Sequence, residues 1–196
     1  MFNKKPCAAG CGNDAVSGSE LCGLHCADPQ KEARRIASYI STRSTIQDLN
    51  AGFLRFADMD FSSKYFYGCN FKESTFNSCI FKYAFMRMVF FDAAVFINCD
   101  FSNSDMRFLS FGACTFENCL FNDSELLQLN FNGADFSLSS FDHSNLYGSR
   151  FNMAKLKHTS IDDCNVKNVY FINTEQAELT FKSSNTKDAF FEMDNY

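Results

Sequence analysis

Residues 91–140 read FDAAV FINCD FSNSD MRFLS FGACT FENCL FNDSE LLQLN FNGAD FSLSS, and every block of five opens on a large apolar residue. The same register runs from Phe56 to Phe191 of the 196-residue chain without an inserted or deleted residue. A small side chain, such as Ala94 or Cys99, stands two residues before most of these centres. An internal repeat of this kind decides the fold before any local signal does.

The five-residue period fits neither an α-helix nor a flat strand, whose side-chain periods are about 3.6 and 2. In an extended segment the small residue and the centre are two apart, so they point to the same side. The two residues after the centre are polar or turn-prone in most repeats, as in Ser102-Asn103. Each repeat, counted from the small residue to the second residue after the centre, is therefore predicted to be one short side of a coil that ends in a corner.

The exceptions to the pattern predict how many sides close one coil. Of the twenty centres from Phe56 to Phe151, sixteen are Phe, and the other four are spaced by twenty: Met86, Met106, Leu126 and Leu146. Larger residues take the small position in one spacing class as well: Val89, Leu109, Leu129 and Val169. In a close-packed interior, volume added at one position has to meet volume removed at its neighbour. Twenty residues per coil and five per side predict four sides. At twenty residues per coil, the stretch from Leu54 to Met193 is long enough for seven coils.

The repeat resembles that of the pentapeptide-repeat family, whose motif is a small residue, Asp or Asn, Leu or Phe, and two free positions. Cys69-Asn70-Phe71 and Ala134-Asp135-Phe136 are similar to it, and the resemblance covers about seven-tenths of the chain. It implies an all-β solenoid, specifically a right-handed quadrilateral β-helix. We expect three segments: a zinc knuckle at residues 1–27, a capping helix and linker at 28–52, and the β-helix at 53–196.

The amino-terminal segment carries four soft ligands as Cys7-x3-Cys11-x10-Cys22-x2-His25, with Cys26 as an alternative ligand. Thiolates and imidazole at this spacing suit a tetrahedral Zn²⁺. Four protein ligands leave no open position, so we expect a structural zinc that folds a segment too short for its own core. The ending of this segment is similar to the small zinc knuckles of some bacterial and phage proteins. Reduced cysteines without a metal are the alternative.

A short helix is predicted between this segment and the repeat. Asp28-Pro29 is typical of an N-cap followed by Pro at the first helical position. Apolar residues then recur at helical spacing: Ala33, Ile36, Ala37 and Ile40. We expect this helix to cover the open first coil, and Ser44 with Gln47 resembles a capping box for a second short helical turn.

Function is expected on the outward positions of four sides, which we call A (centres Phe66, Met86), B (Phe71, Phe91), C (Phe76, Phe96) and D (Phe61, Phe81). Side A and the adjoining edge of side B carry an apolar stripe, the side-A stripe: Tyr65, Tyr67, Phe85, Met88, Phe90, Phe108 and Leu127. Such a patch is typical of a protein contact surface. The sequence therefore predicts a rigid rod that presents this stripe to a protein partner. The alternative is that residues 1–52 fold back over it.

Acidic residues collect on side D as an acidic edge: Asp60, Asp100, Asp123, Asp142, Asp162 and Asp163. Family members that protect or inhibit DNA gyrase are proposed to imitate the DNA duplex as dimers joined through their carboxyl ends. The resemblance therefore implies an alternative function, a DNA mimic acting on gyrase or another topoisomerase, and a homodimer through the C-terminal coils. Duplex DNA carries one charge per about 1.7 Å, far denser than this edge, so the mimic is the alternative.

Catalysis and direct nucleic-acid binding are not expected. His25 is a predicted ligand, while His143 and His158 fall at different corners and in different coils, so no nucleophile–base pair can be assembled around them. Six of the ten cysteines fall on the inward small position, where a thiol packs as a small apolar group: Cys69, Cys79, Cys99, Cys114, Cys119 and Cys164. Together with the lack of a membrane-length apolar run, this predicts a soluble cytoplasmic protein that is not an enzyme.

Overall fold

The computed structural model describes residues 5–192. An irregular Cys/His segment leads into helix α1 at Pro29–Ser41, and a short 3₁₀ helix lies near the other end at Thr186–Asp188. Between them lie twelve strands: β1 Thr45–Gln47, β2 Arg55–Ala57, β3 Tyr65–Tyr67, β4 Thr75–Asn77, β5 Phe85–Arg87, β6 Val95–Ile97, β7 Asp105–Arg107, β8 Thr115–Glu117, β9 Glu125–Leu127, β10 Asp135–Ser137, β11 Lys155–Ser160 and β12 Glu175–Thr180. Across residues 5–192 there is no helix with the length and apolar character needed to span a membrane.

The strands form two parallel sheets on opposite sides of a four-sided solenoid. Side A holds β1-β3-β5-β7-β9, and side C holds the seven strands β2-β4-β6-β8-β10-β11-β12. Each residue pairs with the one twenty positions later, as in Phe66 with Met86. On sides B and D, successive coils are joined by single parallel bridges with the same offset, such as Asn70 to Phe90 on side B and Ile80 to Asp100 on side D. The predicted four sides are thus confirmed, as is a solenoid of about seven turns. The predicted last residue, Met193, lies outside the described residues.

The second residue after each centre forms the corner in the left-handed region. Among the non-glycine corners are Met88 (φ 51°), Phe108 (φ 59°) and Leu138 (φ 52°). A left-handed conformation costs a residue with a Cβ about 1–2 kcal/mol, and glycine and asparagine tolerate it best. The repeat therefore imposes a conformational cost at every corner occupied by a bulky side chain.

The interior is a set of stacked rings. On side C, Phe76, Phe96 and Phe116 stack with centroids 5.0 Å apart and nearly parallel planes. Rings on neighbouring sides meet edge to face, as Phe91 and Phe96 do at 5.4 Å. The four predicted exceptions share side A and are fully buried: Met86, Met106, Leu126 and Leu146. The prediction that these four centres belong to one side is therefore confirmed.

The solenoid begins earlier than the sequence indicated. Strand β1 lies inside the segment assigned to the linker, and the helical turn predicted from Ser44 and Gln47 is wrong, because this stretch is extended and pairs with β3. Ile46, Leu49 and Ala51 fill the inward positions of this first coil and are buried. Since Ile46 and Ala51 stand at its first two centres in place of Phe, the start of the first coil lacks the marker by which the later repeats are recognised.

Both ends of the solenoid depart from the regular interior. At the start, the Asp28 carboxylate accepts the Lys31 amide at 2.9 Å, and α1 buries Ala33, Ile36 and Ile40 in the same core as the first coil. At the far end, the inward position Gln176 is exposed and Phe191 is 36% exposed, because no described coil lies beyond them.

Candidate functional site

The four predicted ligands converge. The ligand atoms of Cys7, Cys11, Cys22 and His25 all lie within 4.8 Å of one another. The Cys11 and Cys22 sulfurs are 3.8 Å apart, and His25 Nδ1 lies 3.7 Å from the Cys7 sulfur and 3.3 Å from that of Cys22. A tetrahedral zinc ion, with bonds of about 2.3 Å to sulfur and 2.0–2.1 Å to nitrogen, holds two sulfurs roughly 3.8 Å apart and a sulfur and a nitrogen roughly 3.6 Å apart. The cluster fits such an ion.

Local turns build this cluster. Gly10 and Gly12 adopt φ values of 69° and 82° around Cys11, a conformation that favours glycine. The Cys22 amide donates to the Cys7 sulfur at 3.3 Å, and this hydrogen bond lowers the pKa of the Cys7 thiol to about 6. Thiolates are the form that binds metal, so the backbone prepares Cys7 as a ligand.

The alternative ligand Cys26 lies apart from the cluster. Its thiol donates to the Gly23 carbonyl at 3.2 Å, and burial raises its pKa. The Cys26 sulfur is thus engaged with the backbone, whereas the ligand atoms of the other four residues lie within reach of one ion. The geometry therefore supports His25, and not Cys26, as the fourth ligand.

The Cys/His segment docks on the start of side B. The Ser17 amide donates to the Asn50 carbonyl at 2.8 Å, and the Asn50 amide donates back to the Ser17 hydroxyl at 2.8 Å. The Asn50 side chain also donates to the carbonyls of Asp14 and Ala15. A Cβ at Gly23 would lie 2.6 Å from a backbone oxygen of the solenoid, so only glycine permits this approach. Among the described residues, the alternative in which residues 1–52 cover the stripe holds only in part. The Cys/His segment shares a cleft with Phe90, while Tyr65, Met88 and Phe108 stay exposed.

The side-A stripe is partly open to solvent. Tyr65 is 46% exposed, and Met88 and Phe108 are each 57% exposed on adjacent coils. The remaining predicted members are half-buried: Tyr67, Phe85, Phe90 and Leu127. Phe90 lies on side B facing the cleft beside the Cys/His segment, so it belongs less to the open surface than the others.

A charged network connects Phe85 on one coil with Arg107 on the next. The Arg87 guanidinium lies 3.5 Å from the Phe85 ring centroid and 2.8 Å from the Asp105 carboxylate. It also donates to the carbonyls of Met86 and Asp105, both at 2.9 Å. Arg107 approaches the same carboxylate at 3.0 Å. Burial opposes ionisation of Asp105, but these hydrogen bonds outweigh it and hold its pKa below the usual range.

The acidic edge is partly occupied by internal contacts. Asp100 pairs with Lys82 at 3.0 Å. Asp142 accepts the Asp162 amide at 2.9 Å, and Asp162 in turn accepts the Lys182 amide at 2.8 Å. These carboxylates stabilise the stacking of successive coils, so they are less available to an outside molecule than the sequence implied.

The two remaining histidines, His143 and His158, are not part of the Cys/His cluster. His143 Nδ1 is 3.9 Å from Asp163, and His158 Nδ1 is 2.9 Å from Glu178. Each pair joins two coils at an exposed corner, and the two pairs lie on different sides.

The inward cysteines are buried and reduced. Burial raises the pKa of Cys69 to about 12 and that of Cys164 to about 11. The neighbouring Cys119 thiol is the main cause that raises the pKa of Cys99 to about 12. Thiolate is the reactive form, so these thiols act as core atoms.

Sequence reasoning missed a small pit at the corner between sides A and B. Its volume is about 240 Å³, and its lining is Phe108, Gln128, Leu129, Asn130, Gly148 and Arg150. The sequence signal for this pit is Gly148, a glycine at the corner between sides A and B. Gly148 (φ 71°) has no side chain and leaves open the space beside Gln128.

A four-sided parallel solenoid with a five-residue repeat defines the class of this protein. Residues 114–191 match the family model described as pentapeptide repeat region, and the same repeat continues upstream into the first coil. The family resemblance drawn from the sequence is therefore confirmed, and the solenoid is a pentapeptide-repeat solenoid.

Several solved structures are similar to this chain. They include the pentapeptide repeat protein Rfr23 of the cyanobacterium Cyanothece 51142, at 14% identity over 47% of this chain and 63% of that one, with a TM-score of 0.45. Full-length QnrB1, a plasmid-mediated fluoroquinolone resistance protein, gives 14% identity over 71% and 83% with a TM-score of 0.44. HetL of Nostoc sp. strain PCC 7120, involved in heterocyst differentiation regulation, gives 12% identity over 80% and 95% with a TM-score of 0.35. No curated protein matches the sequence.

Proposed function

We propose that this protein is a non-enzymatic interaction module whose rigid solenoid presents the side-A stripe to a protein partner. The observation that carries the proposal is the pair Met88 and Phe108, exposed on adjacent coils in the left-handed conformation. Large apolar groups held in that conformation contribute little to folding. Met88 and Phe108 adjoin each other at one corner, whereas Leu138 at the other corner lies between Asn118 and His158 of the adjacent coils, and a contiguous apolar patch is typical of a contact surface. Aromatic residues, Met and Arg are also the residue types that interfaces favour.

The test compares three baits purified under the same conditions. The wild type, the variant Phe85→Ser with Phe108→Ser, and the control Leu138→Ser are each used to capture proteins from the native organism. Leu138 is 59% exposed at a left-handed corner of side C, so it is an apolar residue that matches Phe108 in exposure and backbone conformation but lies on another side. We expect a partner that the wild type and the control retain and the stripe variant loses. Equal capture by all three baits would refute the proposal.

We propose Zn²⁺ as the ion of the Cys/His cluster, with the role of ordering residues that dock on the first coil. The tetrahedral ligand spacing supports this ion, and its four protein ligands leave no position for a substrate. Elemental analysis of the purified protein should find one zinc per chain, and Cys22→Ser should abolish it. Stoichiometric iron in place of zinc would contradict this assignment.

The alternative proposal is a duplex mimic that acts on DNA gyrase or another topoisomerase through the acidic edge. The column of aspartates on side D supports it, while the internal contacts of Asp100, Asp142 and Asp162 weaken it. A supercoiling assay with purified gyrase decides between the two proposals. Unchanged supercoiling at micromolar protein removes the mimic.

A homodimer through the C-terminal coils is our proposal for self-association. Tyr170 and Phe190 stack at 4.7 Å on side B, each 38% exposed, and Phe191 is half-open at the end of the core. Light scattering should report a dimer that Phe190→Ser dissociates and Leu138→Ser leaves intact.

We also propose a cytoplasmic location, which the ten unpaired thiols support because such thiols suit a reducing compartment.

A further inference from the structure

The pit beside Phe108 combines three kinds of contact. Phe108 forms one wall with its exposed ring, the Gln128 side chain carries an amide group, and Arg150 is part of the lining. The Asn130 amide is already bonded to the Ser110 hydroxyl and to the Asn132 backbone. The pit exists because Gly148 has no side chain, and a Cβ there would lie 3.1 Å from Gln128 Cγ. At about 240 Å³ it has room for one side chain of another molecule, whose apolar part would contact the Phe108 ring.

Arg150 differs from the other arginines of this surface. Arg87 and Arg107 share the Asp105 carboxylate. Within residues 5–192, no carboxylate forms an ion pair with Arg150, which is exposed. Its guanidinium is available to bind a carboxylate in a bidentate fashion.

These groups lie at regular heights along the solenoid. Met88, Phe108, the pit and Arg150 follow one another on successive coils, and strands stack about 4.8 Å apart. Met88 and Arg150 are therefore separated by about 14 Å along the axis, which corresponds to about ten residues of an α-helix at 1.5 Å per residue. A helix presents side chains about every 5.4 Å along one face, close to the coil spacing.

An extended peptide fits this surface less well. Its side chains on one face repeat about every 6.6 Å, so they lose register with the coils after one or two steps. The backbone groups of the sheet on side A are also paired between coils, so the face offers no edge for an added strand.

We infer that the corner between sides A and B docks an amphipathic α-helix of a partner protein. Apolar residues three or four apart on this helix cover Met88 and Phe108, the next one along the same face enters the pit, and an acidic residue about ten positions from the first pairs with Arg150. The inference rests on the proposed function and adds the chemistry of the partner to it.

The experiment is a selection from a phage-displayed library of 18-residue helical peptides on the full-length protein, with counter-selection on the double variant Phe108→Gly, Arg150→Glu. We expect enriched peptides to share the spaced apolar residues and the acidic residue. A selected peptide should bind the single variants Phe108→Gly and Arg150→Glu roughly 10-fold or more weakly, as loss of an interface anchor does. Gly148→Asn, which keeps a residue that tolerates the left-handed corner but fills the pit, should weaken binding as well.

A charge exchange makes the test specific. Replacing the acidic residue of the peptide by Lys should restore binding to Arg150→Glu, while Lys157→Glu on side C is the control that should change nothing. Enrichment of basic, extended or patternless peptides, or equal binding to the double variant, would overturn the inference. If these results occur while the Phe85→Ser, Phe108→Ser bait still loses its cellular partner, the proposed function stands and only the helical partner is refuted.

Discussion

Replacing Phe108 by glycine separates a docking role from a structural one. Phe108 stands at a corner with φ 59° and is 57% exposed. If the ring exists for contact with another molecule, its removal should leave the folded state almost as stable as before while abolishing binding. Leu138→Gly, at φ 52° and 59% exposure on side C, is the matched control.

The expected change in stability follows from three terms. Glycine removes a left-handed penalty of about 1–2 kcal/mol. It adds about 0.5–1 kcal/mol of conformational entropy to the unfolded chain. Fully burying a Phe ring is worth roughly 1.5–3 kcal/mol, and with less than half of the ring buried about 1 kcal/mol of that is lost. The terms nearly cancel, so we expect a change in the free energy of unfolding within about 1 kcal/mol of zero, whereas Phe96→Ala in the stack should cost about 3–5 kcal/mol.

Urea denaturation followed by far-ultraviolet circular dichroism measures these values. Phe108→Gly and Leu138→Gly should unfold at nearly the wild-type urea concentration, and only Phe108→Gly should lose the partner. A loss of more than about 2 kcal/mol for Phe108→Gly, comparable to a core substitution, would show that the ring packs as part of the fold. The reasoning from exposure to docking would then fail.

Three further predictions concern the interior and the metal cluster. Met86→Phe should lower the free energy of unfolding by about 1–3 kcal/mol through overpacking. Adding Val89→Ala should recover about 1 kcal/mol or more, because the pair of residues then matches the common repeat. If urea titrations show that the two effects simply add, the idea that volume is exchanged between positions 86 and 89 is contradicted. At pH 8, Cys69 should resist alkylation in the folded protein, since a pKa near 12 leaves about one part in ten thousand as thiolate. Mass spectrometry should place label on the amino-terminal cysteines of the metal-free protein, and rapid labelling of Cys69 would be the contrary result. Removal of the metal by a chelator should make residues 5–26 sensitive to limited proteolysis. The circular dichroism of the solenoid should persist, because each coil contacts only its neighbours. Loss of the entire circular dichroism signal would show that the metal supports the whole fold.

The four-sided coil was predictable because the spacing of side chains of different volume shows it. Met86, Met106, Leu126 and Leu146 interrupt the phenylalanines at a spacing that only a twenty-residue coil explains, and all four lie in one wall. The convergence of the cysteines and His25 was predictable from their spacing, since ligands for one ion have to lie within reach of each other.

The first coil and the position of the Cys/His segment were not predictable in this way. Ile46 and Ala51 occupy centres where Phe is expected, so the repeat is hidden there and becomes visible only through pairing with β3. The segment reaches side B through hydrogen bonds between Ser17 and Asn50, which are distant in sequence and carry no local pattern. The contacts of Asp142 and Asp162 are likewise properties of stacked coils, and the charge of a side chain alone does not show whether it is available to a partner.

Site-specific photo-crosslinking in cells tests the docking surface most directly. A benzophenone amino acid is placed at position 108 or, as the control, at position 138, and the cells are irradiated before the protein is purified. The proposal predicts one crosslinked partner from position 108 and none from position 138. Crosslinks at position 138 alone, or the same products from both positions, would show that side A does not carry the contact.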